Sequence, residues 1–424
     1  MPGGNTRTTV YMAPHPIYAD RGKGCRVIDA DGNVYLDCIN NFTAAIHGYN
    51  HPAIMAAAAA QLERGTAFGL PTESEIELAE LICARAPSIE HIRFTNSGTE
   101  AVMTALKAAR AYTGRPKIAK CEGAYHGSYD YAEVSLDPGP DNWGTETPAS
   151  IPYARGTPSS VINDVIVLPF NDVEATTRIV EAHAQELAAL LVDPMPNRAG
   201  LVPASPEYLK CLRDLTRRHG ILLIFDEVIT FRLGLGGAQE RFDVQSDLTT
   251  LGKIIGGGFP VGAVGGRRDI MAVFDPGRGK PPLPHGGTFT ANPVTMAAGL
   301  AAMKLLSAAE FERLNGLGDR VRRDLKAAFR KAGVSGTVTG LGSLIRLHLH
   351  ADKVHDYRSA FADPKARSRM DALFKALLAQ GVLIGSNGLV ALSTPMLKED
   401  GEEFVAAVAK ALQILSEVDA ENVS

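Results

Sequence analysis

The chain has 424 residues, 45% of them apolar and 21% charged, with a formal net charge of −4. That length suits about two or three domains, and the balance is that of a folded globular protein rather than a disordered one. No dense Lys/Arg run addresses nucleic acid or an anionic membrane, no apolar run reaches bilayer length, and no secretory leader opens the chain, so a cytoplasmic protein is expected.

In chain order, residues 1–50 read as strands. Cys25-Arg-Val-Ile-Asp alternates, Ala30-Asp-Gly-Asn has turn chemistry and Val34-Tyr-Leu-Asp returns, which makes a hairpin. Ahead of it, Arg7 is either a solvated tail charge or a carboxylate clamp, since a planar guanidinium meets a carboxylate at two points. Helix signals follow at His51-Pro52 and over 54–62. A second helix spans 73–85, with Ile76, Leu78, Leu81 and Ile82 mostly on one face.

Ile92-Arg-Phe-Thr-Asn96 reads as a strand, and Ser97-Gly98-Thr99-Glu100 turns into a helix over 101–112. That helix start is either an anion site, with backbone N–H groups and the Ser97 and Thr99 hydroxyls facing a phosphate, or a plain N-cap with Glu100 in its first turn. After a strand at 117–120 comes Gly123-Ala-Tyr125-His126-Gly127, where Tyr125 either stacks on a flat ring or packs as a rim residue. Residues 137–160, rich in Pro, Gly, Ser and Thr and holding the single Trp143, form a long loop. Strands at 165–168, 188–192 and 221–225 alternate with helices at 173–186 and 206–219. This alternation specifies an α/β fold with a doubly wound, mostly parallel sheet.

The strand at 221–225 ends in Asp226 and Glu227, and ligands of open α/β sheets sit outside such strand ends. A second short strand ends in Leu251-Gly-Lys253, followed by Gly256-Gly257-Gly258. A lysine among glycines and apolar residues is poorly hydrated, which lowers its pKa and frees its amine as a nucleophile. With an acid on the neighbouring strand end, this suggests a Schiff-base cofactor whose ring nitrogen needs an anion, pyridoxal phosphate. The bland alternative is a surface lysine and an acidic first helical turn.

Beyond 266 the pattern is a helix start at 269–274, a loop to 287, helices at 294–306 and 310–332, and one strand over 337–349. A helix at 365–380, a strand at 390–393 and a closing helix complete it. His348 and His350 lie two apart on one strand face with no third ligand nearby, so no metal is expected and both read as solvated. Five scattered cysteines match no metal spacing or disulfide framework.

Five motifs taken together resemble the class III aminotransferases of pyridoxal-phosphate fold type I: Asn96-Ser-Gly-Thr-Glu-Ala, Ala124-Tyr-His-Gly, Phe225-Asp-Glu-Val, Leu251-Gly-Lys-Ile-Ile-Gly-Gly-Gly and Gly287-Thr-Phe-Thr-Ala-Asn-Pro. Within that family the chain is similar to β-amino-acid (β-phenylalanine type) transaminases and glutamate-1-semialdehyde aminomutases. Spacing in Asp226-Glu-Val-Ile-Thr-Phe-Arg232, one residue shorter than the usual aminomutase pattern, favours the first group, as does Asn5-Thr-Arg7.

The resemblance implies a large cofactor-binding domain over 51–306 and a smaller α+β domain built from 1–50 and 307–424. It implies that Lys253 carries the cofactor and shuttles the proton, and that Asp226 keeps the pyridine nitrogen protonated. Val228 would pack under the ring and Tyr125 over it, while Ser97, Gly98 and Thr99 would hold the phosphate. Thr288 would reach the phosphate of the neighbouring subunit, which makes a homodimer with shared sites. Arg7 and Asn387 would face the substrate. Two departures are visible. The chain begins almost at Gly3-Gly4, without the usual preceding helix, so a shortened N-terminal cover is expected. Ser386-Asn387-Gly388 also stands where related β-amino-acid transaminases carry an arginine, and an amide forms no charged fork.

The expected activity is a ping-pong amino transfer from a small β-amino acid to an oxo acid. Glutamate-1-semialdehyde 2,1-aminomutase is the alternative with the same cofactor. A non-catalytic phosphate- or nucleotide-binding α/β protein is the alternative of another class, although Gly256-Gly257-Gly258 lacks the Lys-Ser/Thr ending of a P-loop.

Overall fold

Short apolar runs become strands here because helices cover both of their faces. The computed structural model describes residues 1–350 and 353–421. Three strands open the chain, β1 (Ala19–Lys23), β2 (Arg26–Asp29) and β3 (Val34–Asp37). Next come β4 (His91–Thr95), β5 (Lys117–Cys121), β6 (Val165–Leu168), β7 (Leu187–Val192), β8 (Leu222–Asp226), β9 (Leu248–Gly252) and β10 (Gly262–Gly266). Four short strands follow, β11 (Thr337–Thr339), β12 (Leu344–His348), β13 (Val382–Leu383) and β14 (Leu389–Ala391).

The large sheet has the order β4-β10-β9-β8-β7-β5-β6. Its strands are parallel except β10, which runs antiparallel to both neighbours. Alternation along β8 shows how it is packed. Leu222 and Ile224 meet the helix Gly98–Thr113 through Ala105, Leu106 and Ala109. Leu223 and Phe225 meet the helix Pro206–His219 through Leu209, Leu212 and Leu215. Each such side chain contributes about 1.5–3 kcal/mol of burial. Ser205 caps the second helix by accepting from Tyr208 N at 3.1 Å, and Gly220 ends it at φ +61°.

The small sheets join distant parts of the chain. β13 pairs parallel to β3, so residues near both ends share a sheet ordered β1-β2-β3-β13. β12 lies between β11 and β14.

Two readings of the sequence are corrected and one strand is added. The segment 262–266, Gly-Ala-Val-Gly-Gly, carries no strand signal yet forms β10. Glycine is required there because a Cβ on Gly262 would stand 2.0 Å from the Ser97 carbonyl oxygen. The single strand expected over 337–349 is the hairpin β11–β12, turned through Gly340 and Gly342 at φ +116° and +55°. His348, expected to be solvated, is 2% exposed. It sits on the central strand of its sheet, with Nε2 3.0 Å from Thr339 Oγ1 and 3.2 Å from the Gly200 carbonyl. Burial there pushes its pKa down to about 3. No single described helix is long and apolar enough to cross a membrane.

Candidate active site

The carboxyl ends of β8 and β9 open on one side of the large sheet. Their register pairs Asp226 with Thr250, which sets Lys253, just past the end of β9, beside Asp226. Lys253 begins a short 3-10 turn at φ +50°, a left-handed conformation rare for a side chain of that size. Both residues line a cavity of about 360 Å³.

Asp226 is held from three sides. Thr250 Oγ1 and Val228 N donate to Oδ1 at 2.9 and 3.2 Å, and His126 Nδ1 lies 2.7 Å from Oδ2. The His126 ring is buried, and burial lowers its pKa against the opposing pull of Asp226. A neutral ring next to a carboxylate donates through Nδ1, and its buried Nε2 has no partner among the described residues. Asp193, at the end of β7, lines the same cavity and is 5% exposed. Burial, reinforced by the charge of Asp226, holds its carboxyl well above the usual range. The amine of Lys253 is pushed the other way by burial, which Asp226 and Asp193 partly oppose and Arg7 reinforces.

The far wall is the turn before the helix Gly98–Thr113. Ser97 is the N-cap, its Oγ accepting from Glu100 N at 3.2 Å. The hydroxyl hydrogen remains available, so capping and anion binding do not compete. First-turn N–H groups have no partner inside the helix. Glycines shape the cavity's floor: a Cβ on Gly98 would lie 3.1 Å from Val228 Cγ1, and one on Gly252 3.3 Å from it. Val228 therefore reaches the cavity only because both neighbours lack side chains. Tyr125, 46% exposed, lines the cavity on the opposite turn. That turn is tied to the helix start by Ser128 N donating to Thr99 Oγ1 at 3.2 Å.

Of the remaining expected residues, Arg7 is exposed but anchored. Its Nη1 donates to Asn41 Oδ1 at 2.7 Å and its guanidinium lies 5.1 Å from the centre of the Phe42 ring. Asn41 itself lines the cavity. Thr288 is exposed and outside the cavity of this chain, on a stretch with the 62% exposed Phe289. Asn387 is not brought to this cavity. Its Oδ1 accepts from Leu389 N at 3.2 Å, and it borders a separate pocket with Arg346 and His348.

His126, Asp193, Thr250 and Asn41 were not singled out as site residues from sequence. Asn41 had a local signal. Asn40 to Thr43 all lie at positive φ, +52°, +48°, +53° and +75°, a left-handed turn that asparagine tolerates best, and the Asn40-Asn41 doublet announces it. Asp37 Oδ1 secures the turn by accepting from Ile39 N at 2.8 Å and Asn40 N at 2.9 Å.

The chain as a whole is similar to known proteins. The family model described as Aminotransferase class-III matches residues 9–415. A glutamate-1-semialdehyde 2,1-aminomutase 2 of Brevibacillus brevis is 41% identical over 91% of this chain and 88% of its own. A beta-phenylalanine transaminase of Variovorax paradoxus is 40% identical over 96% and 89%. The solved structure of an omega-transaminase from Sphaerobacter thermophilus is 54% identical with a TM-score of 0.94, covering 97% of this chain and 94% of that one. A structure titled a transaminase with PLP bound is 45% identical with a TM-score of 0.91, covering 98% and 95%.

Proposed function

The chain belongs to the class-III aminotransferase family, and from that premise we propose that it is a pyridoxal-phosphate transaminase moving an amino group from a small β-amino acid to an oxo acid. The observation that carries the reading is the pairing of Asp226 and Lys253 at adjacent strand ends, in one cavity that also receives a capped helix start.

The residues present fit the cofactor. The cavity floor beside Val228 is cleared by Gly98 and Gly252, which suits a flat ring, and the 97–99 turn offers N–H and hydroxyl donors to a phosphate. When bound, pyridoxal phosphate supplies an electron sink for the carbanion left by proton removal. The protein's part is electrostatic and positional. Asp226, kept in place by Thr250, Val228 N and His126, would be the residue that keeps the ring nitrogen protonated. Lys253, whose pKa burial lowers, would be the amine that holds the cofactor and afterwards carries a proton. Val228 and Tyr125 would confine the ring. Ser97, Gly98 and Thr99 hold the phosphate, with Thr288 of a second copy completing it in a homodimer. The exposed Phe68, Leu70 and Phe289 support that pairing. Arg7, aimed by Asn41 and Phe42, takes the substrate carboxylate. Asn387 stays outside this reading, because it borders the other pocket.

The aminomutase reading is kept by the 41% identical relative, but the 54% identical solved structure is a transaminase. A donor screen decides. The purified protein with a β-amino acid alone should lose its yellow absorbance, and an oxo acid should restore it. Arg7→Ala should raise KM for the amino acid by about 10- to 100-fold, the worth of a charged hydrogen bond, with kcat less affected. Conversion of glutamate 1-semialdehyde without any acceptor, and no amino transfer from β-amino acids, overturns the proposal.

A further inference from the structure

A second pocket, of about 350 Å³, lies between β12 and the segments around residues 198 and 360. Arg346 on β12 forms its inner wall. One of its terminal nitrogens, Nη1, donates to the Asn197 carbonyl and stands 3.4 Å from Asn197 Oδ1. Its Nε is buried and has no partner among the described residues. Arg232, fully buried, shows what a structural arginine looks like in this fold: its Nε, Nη1 and Nη2 donate to Ser343 Oγ and to the Thr43 and Leu392 carbonyls. Arg346, half-buried, lacks that satisfaction, and no carboxylate among the described residues pairs with it. The charge it feels is another cation, Arg198, and burial with that repulsion pushes its pKa down to about 10.

The rest of the wall is of the same sign. Arg198 and the exposed Arg367 border the pocket, and its one acid, Asp137, is spent on Arg198 at 2.7 Å. His348 and His350 are held neutral by burial. A half-buried guanidinium beside two further arginines gives the pocket a positive field that favours an anion. The pocket shares no lining residue with the Lys253 cavity. The segment 193–198 connects them, since Asp193 lines one and Arg198 the other.

We propose that this pocket binds a small oxyanion, a carboxylate or a phosphate, through the guanidinium of Arg346 together with Arg198. The edge of a guanidinium matches two oxygens of either group. Asn387 at the rim adds an amide donor.

The test uses the holoenzyme, so that the Lys253 cavity is already filled with cofactor. Succinate, which has no amino or oxo group to react, and inorganic phosphate are titrated separately by calorimetry. We expect one of them to bind once per chain. Arg346→Met should weaken it by about tenfold or more. Arg367→Glu, an exposed change that leaves the core intact, should weaken it by about threefold or more, and suffices if Arg346→Met fails to fold. Tighter succinate identifies an organic carboxylate as the ligand, and tighter phosphate identifies phosphate. No binding of either, or binding unchanged in Arg367→Glu and in any folded Arg346→Met, overturns the proposal. So does binding that Arg7→Ala abolishes, since the anion would then sit in the Lys253 cavity. The titration needs no turnover, so it stands or falls independently of the transaminase reading.

Discussion

His126→Leu isolates what the buried histidine does for Asp226. The native ring donates to Asp226 Oδ2 at 2.7 Å, while Oδ1 keeps Thr250 and Val228 N. Leucine removes the donor to one oxygen of a carboxylate that is 5% exposed, so water replaces it poorly. A hydrogen bond to a charged group is worth about 1.5–3 kcal/mol. In the proposed function Asp226 faces the cofactor's ring nitrogen as a carboxylate, and His126 is one of its three donors. The penalty therefore falls mainly on cofactor affinity, which should weaken by roughly 10- to 150-fold near neutral pH. His126→Asn restores a donor at the same reach and should recover most of it. Cofactor release would be followed by absorbance during dialysis, with urea unfolding of the apo forms as control. A leucine variant that retains cofactor like the native enzyme, or an asparagine variant no better than leucine, refutes the assignment.

Lys253→Ala should fold, bind cofactor without fixing it to the chain on borohydride treatment, and lose roughly 10²- to 10⁴-fold in rate or more, as loss of a proton carrier and nucleophile requires. Retention of a borohydride-fixed chromophore would place the reactive amine elsewhere. Lys120, fully buried with only the Cys121 and Val134 carbonyls at 3.1 and 2.9 Å, has its pKa lowered by burial to about 8. Between that value and the ordinary lysine range the unfolded chain holds a proton the folded chain has released, so this group makes stability rise with pH, by up to about 3 kcal/mol. Urea unfolding at pH 7.5 and 9.5 should show about 2 kcal/mol of that gain in the native protein and lose it in Lys120→Met; equal slopes would refute it. Arg358 pairs with the buried Glu122 at 2.8 and 3.0 Å and donates to the Trp143 and Gly144 carbonyls at 2.7 and 2.9 Å. Arg358→Ala strands that carboxylate, costs about 3–5 kcal/mol, and should make the loop around Trp143 cleave faster in limited proteolysis. Unchanged cleavage would show the loop is held by other contacts.

What could be read from the chain alone is what local chemistry encodes. The strand ends carrying Asp226 and Lys253 were legible because an apolar run must stop where a charge faces solvent or a ligand, and five motifs in order resemble one family. The capped start at Ser97 was legible as an ambiguity, and the structure shows the cap, with a hydroxyl that accepts from Glu100 N while keeping a hydrogen to donate. Features that need two distant segments were not legible. β13 is two residues long and exists because it completes the edge of β3, some 350 positions earlier. β10 contradicts strand propensity, because the backbone of Ser97 presses against Gly262 and only glycine allows it. The same holds for function. Asp193 and Asp226 end two strands that are neighbours in the sheet, β7 and β8, so the pairing of those strands brings both carboxyls to one cavity. Asp226 receives three donors, while Asp193 receives one, the Met195 N–H at 2.9 Å, and burial raises its pKa. Two identical side chains thus acquire different surroundings from the number of hydrogens aimed at them, a count that only folding creates.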